Sequence, residues 1–181
     1  MYIDYIDTPL GLFEFKASEY GITQAIFCGD INDDEKGAIN RSVITDNCKS
    51  QLTEYFSGTR RLFDIPLDPK GTPFQQKVWQ CLTEISFGEH CSYQDIAKKL
   101  GKPKGSQAVG GANGRNPISL IIPCHRVIGS NGSLTGYAGG IERKLWLLAH
   151  EGILLSAASK DKHRNIEEVI STRQAKTQFL E

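Results

Sequence analysis

A breaker cluster, Asp68-Pro69-Lys70-Gly71-Thr72-Pro73, divides the chain into two stretches whose apolar residues repeat with different periods. Before it, apolar and polar residues alternate over 2–6, 12–17 and 22–27, and Pro9-Leu10-Gly11 and Glu19-Tyr20-Gly21 separate the runs. Alternation with a period of two puts one face of a strand inward, so this stretch predicts an antiparallel meander. An acidic, asparagine-bearing segment follows, then a helical repeat with Ile44, Cys48, Leu52, Tyr55 and Phe56 on one face, ended by Gly58. Residues 62–67 predict one more strand.

Beyond the cluster the period becomes that of helices. Thr72 caps the first, with Pro73 at its opening position and Gln75 closing a capping box; Phe74, Val78, Cys81, Leu82 and Ile85 make its apolar stripe. Ser92 and Asp95 repeat the arrangement for a second helix, which Gly101 stops. A third segment, 106–115, follows a glycine-containing turn. The run 118–122 reads as a strand, Gly129-Ser130-Asn131-Gly132 as the tight turn of a wing-like hairpin, and 141–150 as a last amphipathic helix ending at Gly152.

The expected fold is thus an α/β N-terminal domain over 1–70, a small antiparallel sheet plus a helix, followed over 71–155 by a mainly α, winged helix-turn-helix-like domain. Residues 156–181 form a polar C-terminal extension with a short helical pattern around 166–170.

Charge separates the two parts. Residues 1–70 carry 7 Lys+Arg against 12 Asp+Glu, a balance of −5, whereas 71–155 carry 9 against 5, a balance of +4. The second part is therefore the better candidate for a polyanionic partner. Two short helices joined by a turn fit a helix-turn-helix with the third segment in the recognition position, although a helical bundle without DNA gives the same pattern. The glycines of Ala108-Val109-Gly110-Gly111-Ala112-Asn113-Gly114 would each cost about 1 kcal/mol in a helix relative to alanine, which favours a surface that something must approach closely.

Five cysteines, an odd number without paired spacing, argue against a disulfide framework and are read as reduced thiols. No stretch approaches twenty apolar residues, and acids stand where a signal peptide would be basic, so a cytoplasmic protein away from membranes is expected.

The chemistry concentrates in Ile121-Ile122-Pro123-Cys124-His125-Arg126-Val127. A cysteine after an apolar run is ordinarily core, but Pro, His and Arg beside it weaken that reading. A thiol becomes a strong nucleophile when its pKa falls or a base lies within reach, and His125, Arg126 and Glu151 are the groups that could arrange it. Adjacency in sequence leaves open whether the imidazole faces the sulfur.

The stretch 73–155 resembles the catalytic domain of the O6-alkylguanine-DNA alkyltransferases, the methylated-DNA–protein-cysteine methyltransferases. The resemblance rests on Pro123-Cys124-His125-Arg126, Ser92-Tyr93-Gln94, Ala108-Val109-Gly110, Asn116-Pro117, Gly136-Tyr137-Ala138-Gly139-Gly140 and Trp146-Leu147-Leu148-Ala149-His150-Glu151-Gly152, and more loosely on Thr8-Pro9-Leu10-Gly11. It implies a DNA-repair protein that flips an alkylated base from the duplex and moves the alkyl group irreversibly, once per chain, onto Cys124. The substrate implied is O6-alkylguanine in double-stranded DNA, with O4-alkylthymine beside it.

By the same resemblance His125 deprotonates Cys124 through a water and Glu151 orients His125. Asn116 ties the helix-turn-helix to the active-site segment, and Tyr93 gives a proton to a ring nitrogen of the leaving guanine. The carbonyls of Cys124 and Val127 and the amide of Ala138 read the base edge; Tyr137 and Gly139 shape the pocket, and the small Ser119 and Gly136 leave room for larger adducts. Gln107 and Arg115 lie on the DNA-facing helix. Gln107 departs from the family, which has an arginine there that intercalates where the base leaves the stack; Lys102, Lys104 or Arg115 could supply the missing cation. No metal and no cofactor are implied, since the zinc ligands of some members are missing here, and the chain is expected to be monomeric.

Three rivals stand beside this reading. A damage-binding protein without transferase activity would lack Cys124. A cysteine hydrolase would use the same Cys-His-Glu set without DNA. A helix-turn-helix transcription factor leaves that set unexplained.

Overall fold

The computed structural model describes residues 1–29 and 36–153 and forms two units, residues 1–71 with 117–121, and residues 72–116 with 122 onward. The extension 156–181 and its helical pattern lie outside the described residues.

In the first unit, β1 (Tyr2–Thr8), β2 (Gly11–Ala17) and β3 (Ile22–Phe27) form an antiparallel sheet in that order. The turn between β1 and β2 closes with Thr8 opposite Gly11, which takes a φ of +103°. Phe13, Phe15, Ala17, Ile22 and Ala25 point inward and are fully buried. Helix α1 (Val43–Phe56) covers them with Cys48, Leu52 and Tyr55, each large apolar side chain contributing about 2 kcal/mol by leaving water. Its N-terminus is closed by a capping box between Ser42 and Thr45.

Residues 62–67, expected as a strand, are extended but unpaired except at a single parallel bridge, Ile22 to Leu67. The reason is a side chain acting as a strand: Gln51 Nε2 donates to Asp64 O (2.9 Å) and its Oε1 accepts from Asp64 N (2.8 Å). Further along, Ile22 N donates to Pro66 O and Asp68 N to Ile22 O. This approach fixes Gly21, because a Cβ there would stand 2.6 Å from Pro66 O.

Residues 118–122, also expected as a strand and placed with the second domain, make only a bridge from Ile118 to Ala25, and all but Ile122 fall in the first unit. Pro117 O and Ser119 N bond to Ala25 on β3, so 117–121 belong to the first unit. Strand geometry then breaks at Leu120, whose φ of +72° is left-handed, and Ile121 N turns back to Ser119 O.

The second unit holds α2 (Pro73–Thr83), α3 (Tyr93–Lys99), α4 (Ser106–Gly114) and α5 (Ile141–His150). The capping boxes at Thr72/Gln75 and Ser92/Asp95 both form. Two side chains hold the helix-turn-helix: Trp79 Nε1 of α2 donates to Ala112 O of α4 (2.9 Å), and Gln94 joins Pro103 O (2.6 Å) and Ser106 Oγ. The wing-like hairpin is not there among the described residues. The turn around 129–133 forms, with Gly129 N bonded to Ser133 O, but the only strand beside it is β5 (Val127–Ile128), which pairs parallel with β4 (Cys91–Ser92).

Candidate active site

Cys124 opens a 3-10 turn, Cys124–Arg126, in the second unit. Pro123, with φ −80° and ψ 63°, sits at the centre of an inverse γ-turn closed by Cys124 N to Ile122 O (2.8 Å), a shape that the fixed φ of proline favours. Asn116 Nδ2 donates to the same Ile122 carbonyl (2.8 Å), so Asn116 braces the approach to the cysteine. The thiol is buried at 4% exposure.

Behind it lies a buried ion cluster. His125 Nε2 meets Glu151 Oε1 at 2.7 Å, Arg126 Nε reaches Glu151 Oε2 at 2.7 Å, and Arg126 Nη2 reaches Oε1 at 3.0 Å. Arg126 also donates to Ile85 O (2.5 Å) and lies over the Phe87 ring. Burial alone would raise the Glu151 pKa, but the hydrogen bonds from His125 and Arg126 outweigh it and bring it down to about 2. Glu151 is therefore a carboxylate, and His125 Nε2 carries the proton that it accepts. Burial lowers the His125 pKa despite Glu151, which leaves a neutral imidazole at pH 7. Its other nitrogen, Nδ1, is buried with no hydrogen-bond partner among the described residues. A neutral imidazole, fixed in one tautomer with an open acceptor nitrogen, is equipped to take a proton.

The opposite wall comes from α3 and the loop before α5. Tyr93 Oη donates to Thr135 O (2.8 Å), and burial raises the Tyr93 pKa, so its hydroxyl stays protonated. Tyr137 is buried with its Oη unpartnered among the described residues, and burial pushes its pKa well up. Gly139 fits against that ring, since a Cβ would stand 2.6 Å from it. Ala138 is exposed.

The two carbonyls expected to read a base are already engaged. Cys124 O accepts from Val127 N and, at 3.4 Å, from Asn113 Nδ2; Val127 O accepts from Lys144 Nζ at 2.5 Å. A carbonyl has two lone pairs, so Val127 O retains one, while Cys124 O takes a further donor in exchange for the long Asn113 contact.

Gln107 and Arg115 are exposed on α4, where they line a groove of about 450 Å³ with Gly111, Thr72, Phe74 and Gln75. Arg115 Nη1 bonds back to Gly111 O (3.2 Å), and Lys102 Nζ lies 5.5 Å over the Phe74 ring. Lys104 is exposed. Ser119 is buried in the first unit, with its N–H on Ala25 O. Lys144, which the sequence reading did not single out, is fully buried with its Nζ on Val127 O. Its position was readable: it lies on the α5 face that carries Leu145 and Leu148.

Among the described residues no helix is long and apolar enough to cross a membrane, and no group of three or more His, Cys, Asp or Glu could hold a metal ion.

Comparison with known proteins covers both units. Residues 1–69 match the 6-O-methylguanine DNA methyltransferase ribonuclease-like domain, and residues 73–153 the DNA binding domain of the same name. A methylated-DNA–protein-cysteine methyltransferase of Methanosarcina barkeri is 45% identical over 153 residues, 83% of this chain and 97% of that one. The constitutive Bacillus subtilis protein of that name is 45% identical over 84% of this chain and 96% of its own. A Shigella flexneri relative is 54% identical over 106 residues, 58% of this chain, and the match spans 62% of that protein's length. Among solved structures, a Mycobacterium tuberculosis OGT in complex with DNA superposes with a TM-score of 0.76 at 38% identity, covering 88% of this chain and 98% of that one. An O6-methylguanine methyltransferase from the same organism gives 0.74 at 39%, over 86% and 95%.

Proposed function

Because the chain belongs to the 6-O-methylguanine DNA methyltransferase family, we propose that it repairs DNA by moving an alkyl group from O6-alkylguanine, and from O4-alkylthymine, in duplex DNA onto Cys124. The observation that carries this reading is the buried His125–Glu151–Arg126 set, which places a neutral, oriented imidazole with an unpartnered nitrogen in the residue after the thiol.

The atoms balance. The thiol proton passes to His125 Nδ1 through a water, and the thiolate attacks the alkyl carbon as its bond to O6 breaks. A thioether forms on Cys124. The leaving guanine takes a proton at a ring nitrogen from Tyr93, and the proton held by His125 makes good that loss, so the net transfer is alkyl to sulfur and proton to guanine. Tyr93 gives up its bond to Thr135 O in doing so. A stacked base hides its alkylated oxygen, so the base is first extruded at an unstacking cost of a few kcal/mol. The groove of Gln107, Gly111 and Arg115 on α4 is the surface placed against the duplex, Val127 O and the Ala138 amide read the base edge, and Tyr137 and Gly139 shape its pocket. A thioether has no easy return path, so each chain acts once, as a monomer, in the cytoplasm and without a cofactor.

Intact and peptide mass spectrometry after mixing with excess duplex bearing one O6-methylguanine tests this. A single methylene increment on the Cys124 peptide, stopping at one per chain and missing from Cys124→Ala, is expected. Tight lesion binding with no increment would instead support a damage sensor, and repeated turnover of a peptide or amide substrate a hydrolase.

A further inference from the structure

Lys144 is the one lysine on α5, and its side chain is fully buried. Its Nζ donates to Val127 O at 2.5 Å and to Thr135 O at 3.2 Å, and lies 5.9 Å over the Tyr93 ring. One carbonyl belongs to the residue that leaves the Cys124–Arg126 turn; the other belongs to the loop that leads to Tyr137, and it is also the acceptor for Tyr93 Oη. A single ammonium thus joins three parts of the second unit: the acceptor turn, the pocket loop and, through Thr135 O, the phenol on α3.

We propose that Lys144 is a positioning residue for alkyl transfer: its ammonium cross-ties the Val127 and Thr135 carbonyls, fixing the pocket wall and keeping a positive charge toward the Cys124 sulfur.

A buried lysine needs a reason, because taking an ammonium out of water is expensive unless acceptors surround it. Two carbonyls and an aromatic face are a neutral set, with no carboxylate in it. Burial accordingly draws the Lys144 pKa down to about 8, and the electrostatic pull of Cys124 acts against that fall. An ammonium tied to the turn that carries Cys124 attracts negative charge developing on the sulfur. Lys144 from α5, Tyr93 from α3 and Tyr137 from the loop act electrostatically on Cys124, while His125 and Arg126 follow it in the turn and are held by Glu151. Of the two cations, Arg126 is paired with Glu151, whereas Lys144 Nζ meets only carbonyl acceptors among the described residues.

The inference rests on the proposed transfer reaction, but its test has an arm that does not. K144M removes charge and donors; K144Q removes the charge and keeps a donor. Each is compared with wild type in two assays: single-turnover transfer at saturating O6-methylguanine duplex, and the pH profile of Cys124 alkylation by iodoacetamide without DNA, read by peptide mass spectrometry. For both variants the transfer rate should fall by about tenfold or more, as a one-unit or larger upward move of the thiol profile requires. Affinity for undamaged duplex should remain within about twofold, because no contact to DNA is removed. Should K144M not fold, K144Q decides by the same two readouts. Transfer rate and thiol profile both within twofold of wild type would overturn the inference. Failure of the wild type itself to transfer would sink the repair reading while the iodoacetamide profile still judged Lys144.

Discussion

The two oxygens of Glu151 are shared between an imidazole and a guanidinium, with His125 Nε2 at 2.7 Å from one and Arg126 Nε at 2.7 Å from the other. The carboxylate thus does two tasks at once. It fixes the tautomer of His125, and it neutralises an arginine that would otherwise be buried with an uncompensated charge.

Glu151→Gln separates these tasks. The amide can still face the imidazole, but it offers Arg126 no charge and can present a donor to His125, favouring the wrong tautomer. Single-turnover transfer should drop on the order of 100-fold or more, and breaking the buried pair should remove about 3–5 kcal/mol of stability. Rapid-quench kinetics with a urea titration of the same variant measures both. An unchanged transfer rate would show that His125 needs no orienter.

Acid should act through the same cluster. A Glu151 pKa lowered to about 2 contributes stability that is complete above the unfolded value of about 4.5 and is lost as pH falls toward 2. His125, whose pKa burial lowers below 6.5, adds a loss in the same direction, since the unfolded chain binds a proton that the folded one refuses. Melting temperatures should therefore fall from pH 7 to 5 and again from pH 4.5 to 3. The second fall should be shallower in E151Q; equal slopes in the two proteins would remove Glu151 as its source.

Gln107→Arg restores a cation to the α4 groove. Transfer from duplex should rise a fewfold while transfer from single strands stays level, and the salt dependence of duplex binding should steepen by about one charge. Equal gains on both substrates would mean that residue 107 does not act where a base leaves the stack.

Gly21→Ala tests the packing of the first unit. The added methyl meets Pro66 O at 2.6 Å, and backbone must shift to admit it. A loss of about 1–3 kcal/mol in urea unfolding is expected. No loss would mean that the 62–67 segment moves aside freely.

Sequence periodicity reached the elements whose own residues decide them. The capping boxes at Thr72 and Ser92 are local, as is the alternation in β1 to β3, and both appear as read. It failed where a distant group takes over a backbone: Gln51 occupies Asp64 in place of a strand, and the turns at Leu120 and Pro123 bend a run that composition alone makes strand-like. In the site, Cys124, His125 and Arg126 were visible as neighbours and Glu151 as a further ionisable group, while the pairing of Glu151 with His125 came through the resemblance. Lys144 was missed because a lysine on an amphipathic helix is ordinarily a solvated residue. Only its place on the apolar face signalled otherwise.

The first unit is not contiguous in the chain: it closes with residues 117–121, which bond to Ala25 only after α2, α3 and α4 have been passed. On a ribosome, residues 72–121 take roughly 3–10 s to synthesise. For that interval β3 waits with the Ala25 N–H and C=O unclaimed, so the sheet is completed by a late arrival. A gene fragment ending at residue 71 would encode a half-edged sheet rather than a folding cassette, and such a piece should be recovered from cells in aggregates or as proteolytic fragments.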